Sequence, residues 1–307
     1  MYFFYAILTN LAVIFFPLIF IYRILKGKED PIRFKEKICI YSKKKTKNKI
    51  WIHAASIGEL MSVIPIIKRL EKNKKIKSII VTTTTTSSAK VFSKLRFKKT
   101  FHIYFPLDNN FLTKRFINYW QPETAIFVDS EIWPNMYKNL NLKKIPIIIL
   151  NARMVKKTLE RWQIFPSFAK EVFSKITMAL PSNLETLKYL KQLNVKNIKI
   201  AGNLKYYGEK NIEGINSDHL KDKFKNQKIW CAASTHKNEE IFLGKLHKNL
   251  KKNNKQLITI IIPRHTHRVP QIINDMNKLG LKTTTHSSNL KIKNDTDIYL
   301  VDSYGVS

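Results

Sequence analysis

Hydrophobic and polar positions divide this chain into two regimes. Met1 to Tyr22 is one apolar run without a single charged residue, dominated by Phe, Ile, Leu, Tyr, Val and Ala. Its length suits a helix that crosses a bilayer. Arg23, Lys26 and Lys28 follow directly, and the positive-inside rule then places everything after residue 23 in the cytoplasm. No basic n-region or Ala-x-Ala-like site marks a cleaved signal peptide. Pro17 and the polar pair Thr9-Asn10 leave a shallow interfacial anchor open as the other arrangement. We assign residues 1–24 to a membrane-anchor helix. Residues 25–49 read as a basic juxtamembrane linker, with short structure around Ile32 to Tyr41 and lysines suited to acidic lipid headgroups.

From Ile50 onward, short apolar runs alternate with segments of helical spacing. Strands are predicted at Trp51–His53, Ser78–Thr83, Phe101–Phe105, Thr124–Asp129, Pro146–Asn151, Met178–Pro181 and Ile198–Ala201. Helical patterns lie between most of them, at Glu59–Leu70, Ser87–Leu95, Asn110–Tyr119, Trp133–Leu140, Phe168–Ile176 and Leu184–Leu193. Alternation of this kind predicts a parallel, doubly wound α/β sheet, here a first domain at 50–205. The polar stretch Tyr206 to Gln227 reads as the interdomain connection. A second series follows, with strands at Ile229–Ala233, Leu257–Ile262 and Asp297–Val301 and helices at Glu239–Leu250 and Val269–Leu279. About three strands are fewer than the usual five or six, so the second domain, 206–307, reads as partial.

Composition changes this picture in two ways. The chain has 307 residues, 44% of them hydrophobic, enough for two packed domains. Lys and Arg number 55 against 22 Asp and Glu, a formal net charge of +33. Such an excess favours anionic partners such as nucleic acid, acidic lipid or phosphorylated substrates. The lysines are scattered, however, and no aromatic-interleaved basic motif for nucleic acid is present. Two distant cysteines, Cys39 and Cys231, fit a reducing compartment rather than a disulfide framework.

Candidate chemistry collects at the carboxyl ends of the predicted strands, where open parallel sheets bind ligands. Ala54, Ala55, Ser56 and Gly58 are small, as a tight turn with close backbone approach requires, and Glu59 opens the helix that follows. Glu59 sits where a general base would sit; a carboxylate that complements the helix dipole accounts for it as well. Thr82 to Ser88 is either a hydroxyl-rich anion loop or, as propensity favours, β-branched strand followed by an N-cap. Asp129 and Glu131 precede a Pro-initiated helix, and capping explains one acid but not both. Asn151-Ala152-Arg153 brings a cation to the same edge. Gly202-Asn203-Leu204-Lys205 ends the first domain with a lysine suited to charge on a phosphate leaving group. In the second series, Ser234 or Thr235, before His236, is expected to cap the following helix and leave its amides as an anion site. Pro263-Arg264-His265-Thr266-His267-Arg268 reads as a phosphate grip. Zinc at His265 and His267 is the weaker reading, since no cysteine or carboxylate stands near at ligand spacing.

Taken together, His53-Ala-Ala-Ser-Ile-Gly-Glu59, Asp129-Ser-Glu-Ile-Trp-Pro-Asn135, Asn151-Ala-Arg153, Gly202-Asn-Leu-Lys205, Ala233-Ser-Thr-His236 and Pro263-Arg-His265 resemble the 3-deoxy-D-manno-octulosonic acid (Kdo) transferases of lipopolysaccharide synthesis. The resemblance covers essentially the whole chain. It implies a GT-B fold of two Rossmann-like domains, with the acceptor bound by the first and the nucleotide sugar by the second. It also implies an inverting transfer of Kdo from CMP-Kdo to the lipid A precursor at the inner membrane, with no metal and no cofactor. By the same resemblance Glu59 is the proton acceptor, and Asp129 and Lys205 stabilise the transition state. Substrate contacts then fall to Ser56, Gly58, Glu131 and Arg153 in the first domain. In the second they fall to Ser234, Thr235, His236, Pro263, Arg264 and Gly305. Anionic inner-membrane lipids are further partners, and no nucleic acid is expected. Asp129 departs from the glutamate usual in the family. The chain also ends at Tyr304-Gly305-Val306-Ser307, where the family continues with Gly-Glu and later Gly-Gly-His-Asn-Pro-Leu-Glu. The expectation is therefore a truncated transferase with an incomplete donor site, inactive or nearly so by itself. A non-enzymatic basic protein that binds membrane or nucleic acid is the alternative, motivated by the charge alone.

Overall fold

The computed structural model describes residues 2–42, 49–204, 224, 227–288 and 295–303. The chain divides into two compact units, Met1–Glu209 and Lys210–Ser307.

The first unit is built on six parallel strands: β1 (Lys49–His53), β2 (Ser78–Thr83), β3 (Thr100–Tyr104), β4 (Thr124–Val128), β5 (Ile147–Ala152) and β6 (Met178–Pro181). Their order is β3-β2-β1-β4-β5-β6. Chain direction across the sheet reverses between β1 and β4, which pair directly from Ile50 with Thr124 to His53 with Phe127. A crevice outside the carboxyl ends of the strands at such a reversal is where open α/β sheets bind ligands. Side chains alternate across the sheet with period two. Trp51, Ile80 and Phe127 enter a core with Phe116 and Tyr137 on one face, while Ile52, Ile79 and Val81 pack with Leu60 and Ile67 on the other. Burial on both faces explains why the strands read as continuous apolar runs rather than alternating ones.

Helices follow the strands: α2 (Ile57–Lys72), α3 (Thr86–Ser93), α4 (Asn110–Trp120), α5 (Pro134–Leu142), α6 (Lys156–Gln163), α7 (Pro166–Phe173) and α8 (Leu184–Gln192). Thr82 and Thr83 lie in β2, and Thr85 caps α3 by accepting from Ser88 N at 3.1 Å, so this segment is strand plus cap and not an anion loop. α6 has no counterpart in the sequence reading, because Lys156-Lys157-Thr158-Leu159-Glu160-Arg161 offers one buried apolar position, Leu159. Ile198–Ala201 is not a strand; Ile198 makes only a single bridge to Ala179.

α1 (Tyr2–Leu25) is apolar, with a mean hydropathy of 2.3 over its best window. It does not project away from the unit. Tyr2, Tyr5, Thr9, Val13, Phe16, Phe20 and Arg23, spaced three and four apart, form its less exposed stripe. Tyr2 Oη donates to Pro134 O at 3.2 Å, and Tyr5 Oη donates to Asp108 Oδ2 at 2.8 Å. At the other end Phe20 packs on Phe34, and Arg23 Nε meets Glu29 Oε2 at 3.1 Å. The opposite face, including Phe3, Leu8, Ile14, Leu18 and Leu25, is exposed.

The segment read as a linker is packed over much of its length. Arg33–Ile38 forms a 3-10 helix. Lys37 Nζ donates to the buried Glu29 at 2.8 Å, and Glu36 Oε2 accepts from Tyr104 N at 2.8 Å. Cys39 is buried. These basic residues face carboxylates of their own unit because an unpaired charge in a protein interior is too costly.

The second unit holds four parallel strands, β7 (Lys228–Thr235), β8 (Leu257–Pro263), β9 (Thr283–Thr285) and β10 (Ile298–Leu300), in the order β7-β8-β10-β9. Among the described residues two α-helices accompany them, α9 (Glu239–Lys251) and α10 (Val269–Lys278). β9 was not expected, since three consecutive threonines carry no apolar pattern. Tyr206 to Gln227, apart from Phe224 and Gln227, lies outside the described residues.

Candidate functional site

The β1–α2 turn is a variant of the capping box, with the carboxylate reaching the residue before the N-cap. Ser56 is the N-cap and its hydroxyl accepts from Glu59 N at 3.3 Å. The Glu59 carboxylate reaches back, with Oε2 accepting from Ala55 N at 2.7 Å and Oε1 accepting from Ser56 Oγ at 2.9 Å. Glu59 therefore does cap its helix, and it does more than cap. Burial, with the charges of Glu131 and Asp129 adding to it, raises its pKa above the ordinary carboxylate value, against the lowering hydrogen bonds from Ser56 and Ala55. A helix cap in open solvent has no such neighbours. Gly58 stands exposed in the first turn of α2, and the nearest atom to an added Cβ is Ser56 Oγ at 4.0 Å. No close approach within the chain requires glycine there, contrary to the expectation from the small-residue turn.

Glu131 lies after β4, on the other side of the strand-order reversal. Its Oε2 accepts from Trp133 Nε1 at 2.9 Å and stands 3.3 Å from His53 Nε2. His53 is fully buried; its Nδ1 meets Thr82 Oγ1 at 2.9 Å and its ring stacks on Phe105 at 3.9 Å. The last residue of β1 thus positions an acid that follows β4. Asp129 takes a left-handed backbone, φ +59°, which is uncommon outside glycine, asparagine and aspartate. Its Oδ1 accepts from Asn151 Nδ2, and Asn151 Oδ1 accepts from Leu204 N at 3.1 Å. Asn151 itself has φ +56°. Arg153 N donates to Asp129 O at 3.4 Å. A cavity of about 130 Å³ opens here, lined by Asp129, Ser130, Ile132, Arg153, Thr158 and Trp162 among others.

Ser56, Glu59, Asp129, Glu131 and Arg153 therefore share the carboxyl edge of one sheet, flanking the reversal between β1 and β4. Lys205 and Gly305 lie outside the described residues. The positioning roles of His53, Trp133 and Asn151 were missed. All three stand inside the quoted motifs; the partners of His53 and Asn151 lie 78 and 22 positions away and leave no local signal, whereas Trp133 bonds Glu131 two positions back.

In the second unit the predicted cap is overturned. α9 starts at Glu239 with Asn238 as N-cap, and neither Ser234 nor Thr235 caps it. Ser234 has φ +62° at a register shift between β7 and β8. Thr235 Oγ1 instead donates to the buried Glu240 at 2.9 Å. Arg268 clamps the same carboxylate with two bonds of 2.9 Å, so it is committed to Glu240 and is not part of a phosphate grip. His236 N donates to Glu239 Oε2 at 2.8 Å. Thr235 pairs in register with Pro263, and Arg264 N donates to Thr235 O at 3.0 Å. The exposed Arg264 and His236 are thus held at the carboxyl ends of adjacent strands. Among the described residues no three His, Cys, Asp or Glu side chains are grouped for a metal ion.

Comparison with known proteins agrees with this geometry. The family model described as 3-deoxy-D-manno-octulosonic-acid transferase (kdotransferase) matches residues 32–207. A 3-deoxy-D-manno-octulosonic acid transferase of Rickettsia bellii is 34% identical over 98% of this chain and 72% of its own length. One from Haemophilus influenzae is 31% identical over 83% of this chain, and the match spans 61% of that relative. Several further relatives, such as that of Rickettsia felis, are matched over only 55% of their length. A Neisseria meningitidis UDP-GlcNAc 2-epimerase superposes with TM-score 0.54 at 13% identity, covering 83% of this chain and 72% of that one; this shows the fold alone, which is α/β of the GT-B type. From its motifs, its sheet and these relatives, the chain belongs to the Kdo transferase family of glycosyltransferases.

Proposed function

We propose that this chain transfers Kdo from CMP-Kdo to a sugar hydroxyl of the lipid A precursor, with inversion and without a metal ion. The observation that carries the reading is the set of three carboxylates at the reversal between β1 and β4. A general base that works near neutral pH needs a raised pKa, and Glu59 has one, caused by burial and by Glu131 and Asp129. Glu59 removes the hydroxyl proton. The oxygen then bonds to the anomeric carbon of Kdo as the bond from that carbon to the CMP phosphate breaks, and CMP leaves with the electron pair. In this reading Asp129 and Glu131 order the reacting edge, held by Asn151 and by His53 with Trp133. The family role of Lys205, stabilising the leaving group, is carried over on its motif. Donor recognition is assigned to the second unit, where Ser234, His236, Pro263 and Arg264 come to one sheet edge, and Thr235, buried and bonded to Glu240, supports that edge.

Membrane attachment belongs to the same reading. The exposed apolar face of α1 and the basic residues Arg23, Lys26 and Lys28 at its end suit an acidic bilayer surface, which we take to be the cytoplasmic face of the inner membrane. The test is CMP release from CMP-Kdo in the presence of a tetraacylated disaccharide bisphosphate. Glu59→Gln is expected to lower turnover by about 10²–10⁴-fold, the range for loss of a general base, with CMP-Kdo binding unchanged. Turnover within a few-fold of wild type would refute the base assignment. Steeply salt-dependent binding of random duplex DNA with no preference for the acylated sugar would favour the nucleic-acid alternative instead.

A further inference from the structure

The buried positions of α9 are Glu240, Gly244 and His247, spaced four and three apart on one face. None of them is a large apolar side chain. Gly244 lets α9 lie close to the end of α10: an added Cβ would stand 2.7 Å from Leu279 Cδ1 and 3.0 Å from Met276 Sδ. His247 Nδ1 meets Thr259 Oγ1 of β8 at 2.8 Å, and its Nε2 stands 3.3 Å from Oδ1 of Asp297, just before β10. Glu240, 2% exposed, holds the other end of the helix. Its Oε1 accepts from Oγ1 of Thr235, the last residue of β7, and from Arg268 Nη1, and its Oε2 accepts from Arg268 Nη2, all at 2.9 Å. Apolar burial is non-directional, whereas a two-bond arginine–carboxylate pair fixes geometry.

The pair joins three segments: the end of β7, the turn that follows β8 and the first turn of α9. The candidate donor contacts are attached to the first two. Ser234 and His236 flank Thr235, Arg264 N donates to Thr235 O at 3.0 Å, and Arg268 N closes the turn by donating to His265 O at 3.1 Å. Ser234, His236 and Arg264 are exposed, while the Glu240 carboxylate is closed off from solvent. We propose that Glu240 and Arg268 are positioning residues for the donor edge: their ion pair, with the Thr235 hydroxyl, fixes where Ser234, His236 and Arg264 stand and so sets the affinity for a cytidine monophosphate group. Neither side chain touches the nucleotide itself. The inference rests on the donor assignment of the transferase reading and adds to it what holds that edge in shape. Removing one partner leaves a charge in the interior without its counterpart, and the segments that carry the pair shift to solvate it.

Calorimetric titration of the purified full chain with CMP and with CMP-Kdo reads both the dissociation constant and the number of sites. Glu240→Gln and Arg268→Gln are each expected to weaken CMP at least tenfold with the number of sites unchanged. A misfolded fraction would do the reverse, lowering the number of sites and leaving the constant of the remainder as it was. The double variant should lose little more than either single one, as side chains that act as one unit do. Arg268→Lys keeps the charge and loses the fork; it is expected to weaken CMP threefold or more and carries the test if the other variants do not fold. His247→Gln loosens the same helix at Thr259 and Asp297, and should bind CMP within twofold of wild type. Unchanged CMP affinity in the Glu240 and Arg268 variants, equal weakening in His247→Gln, or additive losses in the double variant would each overturn the positioning role. A wild-type chain that binds neither CMP nor CMP-Kdo overturns the donor assignment and this inference with it, so the two failures are distinguishable.

Discussion

Glu59 serves two purposes with one carboxylate. It closes the capping box of α2, and its charge is unfavourable beside Glu131 and Asp129. The sign of the resulting pH dependence follows from the base role. A base acts deprotonated, so transfer falls as pH drops through a pKa that lies above the ordinary glutamate value. Glu131→Gln removes one of the raising charges while leaving an oxygen for Trp133 Nε1. We predict that the acid limb of the pH–rate profile of this variant moves to lower pH. A limb that stays in place or moves up would separate Glu131 from the base. Asn151→Ala is a second test at this scale. It deletes the donor to Asp129 and the acceptor for Leu204 N, and should lower turnover more than it weakens CMP-Kdo binding. Equal effects on both would make Asn151 merely structural. By the resemblance the family carries a glutamate, one methylene longer, at the Asp129 position, and Asn151 helps to hold the shorter carboxylate.

One acid sets the geometry of several elements. α5 begins within the Asp129–Asn135 segment, and Trp133, its N-cap, provides no capping bond. The cap comes from the half-buried Asp108, which accepts from Asn135 N at 3.1 Å and Met136 N at 2.8 Å. Tyr5 of α1 donates to the same carboxylate, so the N-terminal helix is wired to the helix that carries the candidate site forward. Burial raises the Asp108 pKa to about 6 despite those hydrogen bonds. A carboxylate whose folded pKa lies above its unfolded one binds its proton more tightly when folded. Its stabilising contribution is complete below about pH 4, the unfolded value, and is lost as pH rises through about 6. Urea unfolding should therefore show this part of the stability declining from pH 4 to 7, with a flatter slope in Asp108→Asn. Asp108→Ala leaves three donors without their acceptor and should cost about 1–3 kcal/mol. A neutral outcome for Asp108→Ala would show that solvent replaces the cap.

At the scale of the whole molecule the question is what α1 does. A helix of 24 residues is about 36 Å long at 1.5 Å per residue, enough to span a bilayer. It is instead bonded to the first unit near both ends, through Tyr2 and Tyr5 at one and Arg23 at the other. A spanning helix would carry Tyr2 to the far side of the membrane, away from Pro134 and Asp108. We therefore expect α1 to lie in the plane of the interface with its exposed face in lipid. An epitope at residue 1 should be reachable by protease from the same side as the body of the protein, and protection of that epitope in sealed vesicles would show a span. Deleting residues 2–25 should release the chain from membranes and also destabilise the first unit, because Asp108, Asn109 and Asn135 lose partners on α1. Release without destabilisation would mean that α1 is only a tether.

Most of the strands and helices were legible in the residues because local physics suffices for them. A parallel sheet buried on two faces writes itself as short apolar runs, and amphipathic helices as periodic ones. The order of small residues, acids and prolines after those strands was enough to place Glu59, Asp129, Glu131 and Arg153 at candidate positions. What pairs with what was not legible. His53 with Glu131, Asp129 with Asn151, Asp108 with Tyr5 and α5, and Arg268 with Glu240 join positions 22 to 103 residues apart, and no period or propensity encodes such distances. The same holds for α1. Its hydropathy told of lipid, but its less exposed stripe acquires meaning only against the surface that the folded sheet and helices present, where Thr9 and Tyr5 find hydrogen-bond partners that hydrocarbon cannot provide.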